Sequence, residues 1–266
     1  MEILAFEPLA IIILAVIGIF TGVIAGCFGI GGGAIVVPMM VLLGNDIKIA
    51  IGISIMQMIF SSFYGTYINY KQSYLDFKDG FYVGIGGFFG AAFSGVILDR
   101  VSSDIISAVF ILFLLYNLFK LFKINAYGEE AKIHNPLKSK FFLVGCGILV
   151  GIFAISLGIG GGMILTPLLA YYLGYSSKKI IPIALFFIIF SSLSGFISLS
   201  MHGYVDYKQG FIVGIASLIG VRIGIWILNI MDAKRHKYLL VILYIVVLSV
   251  MFQEVFDNFK YLLDNS

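Results

Sequence analysis

Two stretches of this chain could bind an anion without any charged side chain: Gly29-Ile30-Gly31-Gly32-Gly33 followed by Pro38, and Gly158-Ile159-Gly160-Gly161-Gly162 followed by Pro167. The glycines and the prolines recur at the same offset of 129 residues. Glycine lets a ligand approach the main chain closely, and a helix that begins just after such a break presents unpaired N–H groups worth about half a positive charge. Breaks of this kind inside apolar segments are tolerated only where protein or a watered cavity receives the freed backbone groups. Gly31, Gly32, Gly33, Gly160, Gly161 and Gly162 are therefore candidate substrate-binding residues, and two matched breaks point to one shared site. The plain alternative is that the glycines only permit tight helix packing. A P-loop fits worse, since neither stretch ends in Lys-Ser/Thr or has a strand–helix context.

The apolar run after each motif carries polar residues at helical spacing. Ser54, Gln57, Ser61 and Gly65 share one face in the first copy, and Ser191, Ser194, Gly195 and Ser198 share the corresponding face in the second. Gln57, Ser61 and Ser191 are candidates for lining an anion's path, against the alternative of modest interhelical hydrogen bonding. Arg222 is the one charged side chain expected at mid-membrane, which makes it a functional candidate by default. Its repeat equivalent is Ala92, and Trp226 follows one turn on as a cation–π neighbour. The competing reading of Arg222 is a snorkelling surface residue. All fourteen acids fall in loops, termini or helix ends, so the carboxylate relay of a proton pump is missing. Coupling is then either absent or carried by protonation of the substrate. His134, His202 and His236 are scattered and without metal-ligand spacing, and Cys27 and Cys146 lie inside apolar runs as packing residues. Neither a metal nor a cofactor is expected.

These residues need long apolar elements to hold them. The 266-residue chain is 61% hydrophobic and 12% charged, with a mean hydropathy of +1.07, well outside soluble averages. An all-α polytopic membrane protein follows. A net charge of +3 with no basic block rules against nucleic acid. Glu2 and Glu7 precede the first apolar run and no Lys or Arg does, so that run is expected to stay in the protein rather than be cleaved as a signal peptide.

The repeat organises the rest. Beyond the motif the offset becomes 130 and pairs Ser61-Ser62 with Ser191-Ser192, Gly65 with Gly195, Asp76-Phe77-Lys78 with Asp206-Tyr207-Lys208, and Gly90 with Gly220. The first repeat is read as residues 1–128, with a broken element at 9–43 and spans at 49–69, 80–98 and 105–122. A cytoplasmic linker takes 129–140. The second repeat, 141–266, has its broken element at 141–173 and spans at 180–200, 210–230 and 238–255. Asp76 and Asp206 read as caps of the third helices. Gly86-Gly90-Ser94 and Ala216-Gly220-Gly224 form small-residue seams for close packing.

In each broken element the leg before the glycines is long enough to cross, at about 26–30 Å, while the leg after them is only a half-helix. With Pro38 and Pro167 assigned to the first turn of that half-helix, the backbone between glycines and proline is expected to be extended. Positive charge decides whether the element crosses or turns back. If it crosses, nine Lys/Arg lie inside against seven outside; if it turns back, the count is twelve against four. Turning back leaves an odd number of crossings per half, hence two halves of opposite orientation with both termini outside. That is the inverted-repeat plan of many secondary transporters, with the substrate site near the midplane.

Gly22 through Gly33 with Pro38, repeated as Gly151 through Gly162 with Pro167, resembles the signature of the TauE/SafE sulfite exporter family, also called the four-toluene-sulfonate uptake permeases. The likeness extends over nearly the whole chain, and Gly220-Val221-Arg222-Ile223-Gly224 is similar to a Gly-x-Arg-x-Gly stretch of that family. The resemblance implies a bacterial cytoplasmic-membrane carrier of sulfite, sulfonates or related small anions, and not an enzyme. A channel, a membrane subunit of a larger assembly, and a carrier of a non-sulfur organic anion are the alternatives. Expected partners are the small anionic substrate, membrane lipid and a second copy of the chain.

Overall fold

The computed structural model describes residues 8–71, 77–123, 140–173 and 177–264. Eleven helices follow in order: α1 (Pro8–Phe28), α2 (Gly33–Leu42), α3 (Ile47–Lys71), α4 (Phe77–Ala91), α5 (Ser94–Arg100), α6 (Ser103–Lys123), α7 (Lys140–Ser156), α8 (Gly162–Leu173), α9 (Ser177–Met201), α10 (Tyr207–Ile230) and α11 (Ala233–Asp264). Among the described residues, five segments are long and apolar enough to cross a membrane: Pro8–Phe28, Ile47–Lys71, Gly80–Arg100, Ile180–Met201 and Tyr207–Ile230. Leu9, Phe89, Trp226 and Ile242 are more than half exposed, as side chains facing acyl chains are. Most of the expected linker at 129–140, and Asp76, lie outside the described residues.

Two expectations need correction. The half-helices begin at Gly33 and Gly162, directly after the glycines, so the backbone up to the proline is helical rather than extended. The glycine loop itself absorbs the turn, and Pro38, in the second turn, forgoes only its own bond to the Ala34 carbonyl. The span read as 80–98 is broken into α4 and α5 at Ala92-Phe93. Ser198 of α9 holds this break from both sides: its Oγ accepts from the Gly95 N–H at 3.0 Å and donates to the Ala92 carbonyl at 2.8 Å.

Glycines record how the helices pass one another, since a Cβ added to them would run into the neighbouring backbone or side chain. Gly18, Gly22 and Gly26 of α1 meet Val213, Ser217 and Val221 of α10, so the two helices run in the same direction. Gly147 and Gly151 of α7 meet Val83 and Gly87 of α4 in the same sense. Along α3 and α10, Gly52 meets Tyr204, Gly210 meets Met56 and Gly214 meets Phe60, again rising together. By contrast α3 and its repeat counterpart α9 run oppositely. Gly65, late in α3, meets Leu185, early in α9, whereas Tyr204, just past the end of α9, meets Gly52 near the start of α3.

The expected small-residue seams are built: Gly86 and Gly90 abut the carbonyls of Val144 and Ile148, and Gly220 and Gly224 those of Ile19 and Val23. At the end of the bundle where α3 and α10 start, Asn45 and Gln209 exchange amide hydrogen bonds at 3.3 and 3.2 Å, and Asp206 caps α10 by accepting from the Gln209 N–H at 3.0 Å. Tyr204 donates its hydroxyl to Asp99 at 2.7 Å, and that bond holds its pKa above the ordinary tyrosine value.

Candidate functional site

Each glycine loop reverses the chain inside the bundle. Gly29, Gly31, Gly32, Gly158 and Gly160 all take positive φ between 65° and 80°, which L side chains rarely adopt. Beyond the end of α1, Gly32 is already back beside Thr21: a Cβ there would stand 2.8 Å from the Thr21 carbonyl oxygen. From that point α2 runs for ten residues, about 15 Å, and turns through Gly44 into α3. Because α1 and α3 both run with α10, and the connection from α2 to α3 is short, α2 points back the way α1 came.

The helix starts are set by carbonyls of the loops. Gly32 O accepts from Ile35 N at 3.1 Å and Val36 N at 3.2 Å; Gly161 O accepts from Ile164 N at 3.2 Å and Leu165 N at 2.8 Å. The preceding amides, of Gly33 and Ala34 and of Gly162 and Met163, are first-turn groups with no acceptor in their own helix. The two starts meet. A Cβ at Gly33 would overlap the Gly158 carbonyl oxygen, and one at Gly162 would overlap the Gly29 carbonyl oxygen. Each loop thus lays a carbonyl, the negative end of a peptide dipole, at the positive end of the other half's helix. Ser54 steadies one of them by donating to Gly158 O at 2.8 Å.

Three side chains on the middle of α3 complete the cluster. Ser61 Oγ lies 3.3 Å from both Gly31 O and Met58 O, so its hydroxyl is shared between the loop and its own helix. Met58 fills the space between Gly31 and Gly160, its sulfur 3.2 and 3.0 Å from where their Cβ atoms would be. Gln57 is fully buried, and a Cβ on Gly32 would lie 3.1 Å from its Nε2 and 3.2 Å from its Oε1. Neither amide atom has a hydrogen-bond partner, an arrangement that costs about 1–3 kcal/mol per group. The second half differs. The counterpart of Gln57 is Phe187, fully buried, with its ring packed directly on Gly161. Ser191 bonds back to its own helix, at 3.2 Å to Phe187 O.

The structure therefore brings together Gly31, Gly32, Gly33, Gly160, Gly161, Gly162, Gln57 and Ser61, and leaves Ser191 turned to its own backbone. It does not bring in Arg222, which is exposed on the outer face of α10 beside exposed Trp226, away from the seam with α1, as a snorkelling side chain is. Met58 and Phe187 belong to the cluster and were not among the candidates. The signal for Phe187 was present, since the offset of 130 places it opposite Gln57. Among the described residues no group of His, Cys, Asp or Glu could hold a metal ion.

Apolar helices wrapped around two opposed half-helix starts define a multi-pass membrane transport protein. The chain belongs to the sulfite exporter TauE/SafE family, whose model matches residues 14–251. It is similar to the probable membrane transporter protein MJ0441 of Methanocaldococcus jannaschii, 26% identical over 89% of this chain and 94% of that protein. It is also similar to two probable membrane transporter proteins of Bacillus subtilis: YunE, 24% identical over 85% of this chain and 91% of the relative, and YdhB, 26% identical over 79% and 87%. No solved structure matches the chain.

Proposed function

We propose that the protein is a secondary transporter of small sulfur or organosulfur oxyanions, such as sulfite or sulfonates, across the cytoplasmic membrane. It works by alternating access around a midplane site made of the starts of α2 and α8. The observation that carries this reading is the reciprocal approach of Gly33 to the Gly158 carbonyl and of Gly162 to the Gly29 carbonyl. The carbonyl oxygens occupy the electropositive helix ends while the halves are closed, and an oxyanion takes their place when the halves part. Backbone dipoles hold an anion without a fixed charge, so release is not opposed by an ion pair.

The opposite running of α3 and α9, and the doubling back of α2, support an inverted repeat, and the Lys/Arg count of twelve against four supports placing both termini outside. The two halves then rock about the shared site, which changes its accessible side. The family's description supplies the sulfur-oxyanion class, and the surrounding Ser54, Ser61 and Gln57 supply a polar, uncharged lining. Proteoliposome uptake tests it. Saturable transport stimulated by counter-flow is the expected result; linear, non-saturating flux would mean a channel. Gly33→Val and Gly162→Val should each abolish transport in protein that still reaches the membrane, and full activity in either would overturn the half-helix site.

A further inference from the structure

We infer that the cargo is a singly charged anion carrying a hydrogen-bond donor of its own, such as a hydroxylated sulfonate or a protonated oxyanion, and that Gln57 reads that donor. This rests on the anion-binding reading of the half-helix site.

The two atoms of the Gln57 amide have opposite needs. Nε2 donates and Oε1 accepts, and both are unpartnered in a side chain with no exposure at the middle of α3. A bare oxyanion satisfies only the donor. It would leave Oε1 unpaired, with a partial negative charge directed at an anion, and a Ser, Lys or Arg would serve such a cargo better. A ligand with both an oxyanion and an O–H or N–H satisfies the whole amide. Exchanging the assignment of Oε1 and Nε2 changes nothing, since both are unpartnered.

A second acceptor converges on the same corner. The Thr21 carbonyl oxygen lies 2.8 Å from where a Gly32 Cβ would be, beside the Gln57 amide. Gly32 has no side chain to separate them, and the first-turn amides of Gly33 and Ala34 follow immediately as donors. The Gly32 main chain, the Thr21 carbonyl and the Gln57 amide therefore meet at one closely packed corner, which admits cargo when the halves part. The other half offers no such pair, because Phe187 covers Gly161 with an apolar ring. Two helix starts and one amide donor, with no charged side chain among them, suit a monoanion rather than a dianion, and the acceptors lie on the α2 side only.

The test compares ethanesulfonate with 2-hydroxyethanesulfonate, which have the same charge at every working pH and differ by one hydroxyl. Apparent affinities come from ligand-induced thermal stabilisation of the purified full-length protein. Unpaired buried groups discriminate strongly against ligands that lack the matching hydrogen bond, so the hydroxylated compound should bind at least about tenfold more tightly. In Gln57→Met the ratio should fall to about twofold or less. Gln57→Asn, which keeps the amide but retracts it, should fall between the two. Equal affinities in the unaltered protein, or a ratio that survives Gln57→Met, would overturn the inference. If sulfonates bind, and binding is lost in Gly33→Val, but the ratio is flat, only this inference fails. If sulfonate binding persists in Gly33→Val, or is absent altogether, the half-helix reading fails with it.

Discussion

Among the individual residues, Gly32 and Arg222 make opposite predictions. Gly32 sits at φ +80° with the Thr21 carbonyl and the Gln57 amide around its missing Cβ. Gly32→Ala should therefore cost about 1–2 kcal/mol in backbone strain and lower transport by roughly tenfold or more. Chemical or thermal unfolding measured beside uptake would show both effects, and an unaffected uptake rate would contradict them. Arg222 lies on the outer face of α10, so Arg222→Lys should leave uptake within about twofold, because a lysine snorkels as well as an arginine. A collapse of transport in that variant would return Arg222 to the site. The glycines and Gln57 were legible in the sequence because each breaks a strong rule: glycine clusters and a buried amide are costly in hydrocarbon unless something uses them. Arg222 breaks the same rule but faces outward on α10, and the direction a side chain faces is set by which neighbour its helix packs against.

At the scale of elements, the half-helices and small-residue seams were readable from spacing, and the break between α4 and α5 was not. Residues 80–98 hold no proline and no charge, and the one local hydroxyl at the break, Ser94, which donates to the Ala91 carbonyl at 2.7 Å, does not mark it in the sequence. A hydroxyl more than a hundred positions away supplies further partners: Ser198 Oγ accepts a hydrogen bond from the Gly95 N–H and donates one to the Ala92 carbonyl. Ser198→Ala strands both groups and should destabilise the protein by about 1–3 kcal/mol, visible as a lowered melting temperature. Unchanged stability would mean that the break is held by something else. The proline positions teach a related lesson. Proline was expected in the first turn because its missing N–H is harmless there, but the second turn is also open to it once only one carbonyl, that of Ala34, loses its donor.

Across the whole molecule, direction is the property that matters. The helix pairs α1 with α10 and α7 with α4 exchange partners between halves, and α3 and α9 oppose each other in direction. On the proposed inverted topology, a cysteine placed at 208 should react with an impermeant reagent from outside and one placed at 235 only from the cytoplasm. The reverse pattern, or both from one side, would contradict the proposed topology. The proposed inversion accounts for two glycine loops 129 residues apart meeting at their helix starts, because it brings the two half-helices in from opposite leaflets.

The sequence alone determined that this is an all-α membrane protein of two related halves, that each half contains a glycine-broken element, and that no acid lies deep within it. Those properties follow from composition and period, which every residue reports independently of its neighbours in space. Tertiary structure alone decided that Gln57 is left unpaired while Ser54 and Ser61 are spent on loop carbonyls, that Phe187 closes the second half, and that Arg222 faces outward. Each of those depends on which groups meet across the bundle, and hydrogen-bond partners in a membrane are chosen by packing, not by the local run of residues.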